Sequence, residues 1–194
     1  MPKTITIEMD DSNFTSKNTT NLVTYGISTC IAFIIYASFF DEDDHLIQAR
    51  GLYHWSGFSF EQDNPEQTTQ DVFSNFLDEL REAFDLSYEL EIEIGSLIFI
   101  GGEKAEWDNG ELIVSGTESE VINLIKVVKD FDFTGSNFIK PKQISHNHFL
   151  TTGDEALTIT VQSNHCFYTK ISLGKENDYC EDNFPSSSPS FQHS

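Results

Sequence analysis

Three residues in the first third of the chain could carry nucleophilic chemistry together: Thr24, Cys30 and His54. Cys30 closes the stretch "TYGISTC" and is followed at once by the apolar run "IAFIIYASFF", while His54 stands in "GLYHW". A cysteine attacks as its thiolate and needs a base within hydrogen-bond reach. An imidazole serving as that base needs a third group to keep its ring in line. Six histidines are available: His45, His54, His146, His148, His165 and His193. Hairpin geometry selects among them. "CIAFIIYASFF" and "LIQARGLYHWSGFSF" flank the charged "DEDDH" and read as the two arms of a β-hairpin. A turn centred on residues 42–44 puts Cys30 opposite or diagonal to His54, within the roughly 4.5–8 Å of cross-strand neighbours. His45, at the tip, falls too far away. A kink at Gly26 would fold the chain back so that the hydroxyl or carbonyl of Thr24 orients the imidazole. The competing interpretation takes Cys30 as a small core residue and His54 as a satisfied sheet histidine.

These elements sit in a regular pattern. "TITIEM" alternates like a half-buried strand, and the polar "DDSNFTSKNTTN" separates it from the cysteine segment. The run from Cys30 is apolar without alternation, which suits a central strand covered on both faces. Residues 68–84 place Val72, Phe73, Phe76, Leu77, Leu80 and Phe84 at helical spacing behind a Thr-Thr pair. "ELEIEIGSLIFIGG" reads as a strand ending at a Gly pair that signals a turn or close backbone approach, and "ELIVSG" as a short strand. Thr117 and Glu120 have capping-box spacing ahead of Val121, Ile122, Ile125 and Val128, predicting a second helix. "FIKPKQISHNHFL" and "ALTITVQSNHCFYTKISL" add strands. Two helices cannot cover so many strands on both faces, so an α+β fold is expected: a layered α/β/β sandwich with mixed strands. Residues 1–174 form one domain on this view, and residues 175–194 an acidic, serine-rich, mobile tail.

The 194 residues suit one core of ordinary size. Eleven Lys and Arg against 32 Asp and Glu leave a net charge of −21. A field of that sign repels phosphate backbones and anionic headgroups, which argues against nucleic acid and membrane and for a basic protein surface as partner. Cys30, Cys166 and Cys180 form neither an even disulfide set nor close zinc-like pairs, so reduced thiols are expected. The N-terminus lacks the apolar core of a cleaved secretory signal, and no apolar run is long enough to span a bilayer. A soluble monomer needing no cofactor or metal is the expectation. His146 and His148, with His165 and Cys166, could complete a metal site only if both segments were adjacent and in register; two solvated strand histidines are the default.

"TYGISTCIAFIIY" and "GLYHW" resemble the Thr-x-Leu-Gly-Ser-Cys and Gly-x-x-His segments of the chemotaxis receptor deamidase CheD. They are similar also to the Leu-Ser-Gly-Cys of the cytotoxic necrotizing factors and Burkholderia lethal factor, which are glutamine deamidases. More faintly, "LIFIGGEKAEW" and "IVSGTESEVINLIKVV" resemble the downstream strand and strand-turn-helix of CheD. The resemblance implies a cysteine hydrolase that converts a glutamine side chain of a protein substrate to glutamate. Cys30 would be the nucleophile, His54 the base and Thr24 its orienting group, with backbone support from Ser28, Thr29 and Cys30 for the oxyanion. It departs where the family has glycine just before the cysteine, or one residue further before it, and this chain has Ser28 and Thr29. A chemoreceptor-type deamidase in the bacterial cytoplasm, or an effector or toxin reaching a host protein without a cleaved N-terminal signal, would both fit. The alternative from another class is a non-catalytic acidic binding module on the same fold.

Overall fold

A strand with no polar face must be covered on both sides, and here that requirement organises the molecule. The computed structural model describes residues 2–57, 65–151, 154–172 and 181–185. The chain runs β1 (Lys3–Thr6), β2 (Ser12–Thr15), β3 (Thr20–Ile27), β4 (Ile31–Phe40), β5 (Leu46–Trp55), α1 (Pro65–Ala83), β6 (Ile92–Gly101), β7 (Glu106–Asp108), β8 (Glu111–Val114), α2 (Glu118–Asp130), β9 (Phe138–Ile139), β10 (Ile144–His146), β11 (Glu155–Val161), β12 (His165–Ser172) and β13 (Glu181–Pro185). Sheet I has the order β10-β6-β4-β5-β2, with β9 beside β6, and sheet II the order β1-β3-β11-β12-β13. Strands β7 and β8 pair only with each other.

Strand β4 is buried at every position but its last. Its residues Phe33, Ile35 and Phe39 pack under Phe73, Phe76 and Leu80 of α1 and Val121, Leu124 and Val128 of α2. The alternate residues Ala32, Ile34 and Tyr36 join Leu52 and Ile98 against Leu22, Ile27, Leu157 and Ile159 of sheet II. The expected α/β/β sandwich of mixed strands is therefore the observed architecture, helices on one face of sheet I and sheet II on the other.

Several boundaries differ from expectation for physical reasons. The polar stretch expected to separate elements contains β2, a short edge strand that pairs with β5 and needs little apolar content at a sheet margin. Strand β3 begins at Thr20, well before the cysteine segment, because β1 pairs with its first residues, Lys3 opposite Thr20, and β11 with those from Leu22 on. The strand expected from "ALTITVQSNHCFYTKISL" is the hairpin β11–β12, with Val161 opposite Cys166. Within the segment from residue 175 read as a tail, Glu181–Pro185 add to β12 as β13; the rest of that segment lies outside the described residues. Helix α1 starts at Pro65, where a missing N–H would be unpaired in any case.

Phe33 anchors the helix-facing core, its ring edge-on to Tyr53, Trp55, Phe76 and Phe99 at centroid distances of 5.3, 5.6, 5.7 and 5.2 Å. Deleting that ring leaves a cavity bounded by two layers. Phe33→Ala should cost about 3–5 kcal/mol and Phe33→Leu under about 1.5 kcal/mol, read from the shift in the urea midpoint at unchanged slope.

Candidate active site

Residues 28–30 carry the chain from sheet II to sheet I, and the three candidate side chains lie around that crossing. Ala32 stands opposite His54 in the β4–β5 ladder, so Cys30 is diagonal to His54, one of the two placements the hairpin argument allowed. Side chains alternate along a strand, hence Cys30, Ala32, Leu52 and His54 face sheet II together. Diagonal neighbours stand about 7–8 Å apart at the backbone, within reach of an imidazole.

Thr24 arrives by a route the sequence did not suggest. It does not fold back over Gly26 but lies on β3, in the opposed sheet, paired with Ile159. Between Thr24 and Ile27 the register with β11 shifts, and Gly26 takes a φ of 71° in this bulge. The bulge bends β3 toward the crossing rather than returning Thr24 to it.

The Thr24 hydroxyl oxygen is 2.7 Å from His54 Nδ1 and 2.8 Å from the carbonyl of Ile7, in the segment that follows β1. A hydroxyl has one proton, and a carbonyl can only accept. Thr24 therefore donates to Ile7 and accepts from His54 Nδ1–H, which assigns the ring its tautomer. The lone pair is left on Nε2. That atom is buried and makes no hydrogen bond among the described residues, in a side chain whose residue is 4% exposed. The thiol and the imidazole are thus not hydrogen-bonded to one another here.

The backbone of the crossing is tied down on both sides of Cys30. The Cys30 carbonyl accepts from Gly102 N–H at 2.9 Å, and the Thr29 carbonyl accepts from the Thr117 hydroxyl at 2.6 Å. Gly101, at a φ of 114°, has no room for a side chain, since a Cβ would fall on the Cys30 carbonyl and on Ile27. This is the close backbone approach that the Gly pair signalled. Thr117 precedes α2 as expected, but its hydroxyl caps nothing in the helix. It is taken by Thr29 and by the Glu103 amide instead.

Burial pushes the Cys30 thiol above its ordinary range; the Thr29 side chain and the Ser28 and Cys30 amides pull it back, while Asp10 adds to the rise. Burial also holds His54 below its ordinary value, opposed by Asp10 and Glu8. At neutral pH the pair rests as thiol and neutral imidazole. Asp10 is the acid that sequence reasoning missed. Its amide donates to the His54 carbonyl at 2.6 Å, and its carboxylate accepts from Ser56 N–H at 2.8 Å. Only the pairing of the residues just before β2 with the end of β5 could have revealed it.

The other histidines are elsewhere. His45 sits at the hairpin tip, 3.5 Å from Asp41. His146 Nε2 is 2.6 Å from the Gly101 carbonyl and its ring lies against Phe149. His148 packs near Tyr168, and His165 is 2.8 Å from Asn164. His193 and Cys180 lie outside the described residues. Among the described residues no three His, Cys, Asp or Glu side chains gather as a metal site would require. Cys166 is fully buried between the sheets, its thiol pushed up to about 12 by that burial. No helix among the described residues is long and apolar enough to cross a membrane. The sequence matches no family model and no curated protein.

The hydroxyl chain makes two checkable statements. Nitrogen-15 shifts of His54 should report the Nδ1–H tautomer at neutral pH. Thr24→Val, which keeps the shape and removes the hydroxyl, strands two buried polar groups and should cost about 2–4 kcal/mol in urea unfolding.

Proposed function

We propose that the protein is a cysteine-dependent deamidase that converts a glutamine side chain of a protein substrate to glutamate. The observation that carries this reading is the chain His54 Nδ1–H to Thr24 to the Ile7 carbonyl, which leaves an unpartnered, buried Nε2 on the face of sheet I that holds Cys30. A satisfied core histidine would have both nitrogens engaged. The resemblance to CheD and the toxin deamidases, on Thr24, Cys30 and His54, points the same way.

In the reaction, His54 Nε2 takes the thiol proton as Cys30 Sγ attacks the carboxamide carbon, and the carbonyl π electrons move to oxygen. The Ser28 and Cys30 amides, which lie near the sulfur, would receive that oxyanion. Collapse breaks the C–N bond; ammonia leaves with the proton from His54, and a thioester remains. Water then gives a proton to His54 and attacks the thioester. The C–S bond breaks, the thiolate recovers its proton, and glutamate is released. Because the resting pair is neutral, the proton moves during attack rather than before it. A surface of net charge −21 favours a basic substrate or effector target.

A second reading, a non-catalytic acidic binding module, is favoured by one observation: burial raises the Cys30 thiol, the opposite of what a resting thiolate would need. The pH dependence of alkylation separates the two. With His54 as base, iodoacetamide labelling of Cys30 should show an acid limb below 6.5, the ordinary imidazole value beneath which burial holds His54, and His54→Ala should erase it. In the binding module the rate should follow only the thiol's own ionisation, above its ordinary range. Turnover is read as ammonia release and a mass gain of about one dalton from a lysine-rich, glutamine-bearing peptide. Cys30→Ser and His54→Ala should each lower it by at least about a thousandfold, since either removes the acyl intermediate. A Cys30→Ser protein that keeps turnover but unfolds more easily would make Cys30 a packing residue.

The same histidine contributes to stability with a definite sign. Its folded pKa is depressed, so its contribution is present above about 6.5 and is lost as pH falls through the folded value. Urea stability should drop over that range in the native protein and drop less in His54→Ala.

A further inference from the structure

A peptide bond is planar and trans, so its carbonyl and its N–H point in opposite directions. Whatever holds the Thr29 carbonyl therefore aims the Cys30 N–H, which belongs to the same peptide. That holder is the Thr117 hydroxyl, at 2.6 Å, in a residue with no exposed surface. Its single proton goes to Thr29, since the Glu103 amide, at 2.9 Å, donates to the same oxygen. Thr117 is itself locked, its N–H bonded to the Glu103 carbonyl at 2.9 Å. On the other side of Cys30, Gly102 N–H holds the next carbonyl at 2.9 Å. Both peptide planes flanking the nucleophile are thus fixed by groups beyond β6 and at the start of α2. The site's departure from glycine, Ser28 and Thr29 ahead of Cys30, falls on the segment this clamp holds.

We infer that Thr117 is a positioning residue for acyl transfer: its hydroxyl, through the Thr29 carbonyl, sets the direction of the Cys30 amide that receives the oxyanion. The inference rests on the deamidase reading, because it assumes that Cys30 forms a tetrahedral intermediate. It separates Thr117 from the helix-capping role that its sequence position suggests, and from any direct contact with substrate.

The test compares two reactions of the same sulfur. Iodoacetamide alkylates by displacement of iodide and develops no oxyanion. With p-nitrophenyl acetate, Sγ attacks the ester carbon as His54 Nε2 takes the thiol proton, p-nitrophenolate leaves with the bonding pair, and an acetyl thioester remains; the intermediate needs the amide. Thr117→Val should slow acetylation roughly 10–100-fold, somewhat less than deleting a donor outright, with alkylation within about twofold of wild type. Thr117→Ser, which returns the hydroxyl, should restore acetylation to within about threefold. The inference is overturned if Thr117→Val acetylates at the wild-type rate, if alkylation falls in the same proportion, or if Thr117→Ser fails to rescue. Should Thr117→Val not fold, Thr117→Ala takes its place in the same comparison with Thr117→Ser, and the same outcomes support or overturn the proposal. Failure of the deamidase reading looks different: wild-type Cys30 would alkylate and not acetylate, and the inference would fall with it.

Discussion

The molecule depends on one strand being dry on both faces. Strand β4 can satisfy its apolar side chains only between two layers, so α1 and α2 must lie on one side of sheet I and sheet II on the other. The chain has to pass from one sheet to the other immediately before β4 begins, and Cys30 sits at that passage. Backbone groups at such a crossing have lost their ladder partners and are too buried for water to serve them well. The Gly102 amide and the Thr117 hydroxyl take over, and the result is a short loop with few remaining degrees of freedom. Cys30, located there, inherits a fixed backbone as a by-product of sheet closure.

The same geometry sets the electrostatics. Thr24 and His54 belong to different sheets, and their hydrogen bond is a polar contact inside a largely apolar seam. Such a contact is affordable only if each polar atom is matched, and the chain from Nδ1 through the hydroxyl to Ile7 matches all but one. The low dielectric that surrounds it keeps both sulfur and ring uncharged. Asp10, bonded to the backbone at the end of β5, works with burial at the sulfur and against it at the ring. The seam therefore favours a neutral thiol and imidazole over a stored ion pair.

How much of this was legible in the sequence follows from which interactions are local. The hairpin of β4 and β5 is announced by an apolar run, a charged tip and a second run, and its register brought Cys30 and His54 to one face. The helices were equally plain, since Phe73, Phe76, Leu77 and Leu80 repeat at helical spacing. What could not be read were the partners supplied from far along the chain. Nothing near Thr24 indicates that β3 will pair with β11, so its position in the opposed sheet was hidden even though the residue itself was selected. Thr117 carries the signature of a helix cap, and only the tertiary fold diverts its hydroxyl to Thr29. Asp10 lies in a polar stretch whose pairing with the end of β5 has no periodic signal.

The pairing of β3 with β11 also orders events in time. Residues 31–55 can zip into a hairpin while the chain is still short, bringing Cys30 and His54 near one another early. Strand β3 has β1 as a neighbour from the start, but its other edge waits for Leu157–Val161, which leave a ribosome long afterwards. Contacts of such sequence separation close slowly, because the intervening chain must first surrender its entropy. Until they close, nothing holds Thr24 against His54, and the imidazole turns freely beside the sulfur. The nascent chain thus carries a thiol and an imidazole that are near but unaligned, and the contact of Thr24 with His54 is secured only after residue 161 has been made.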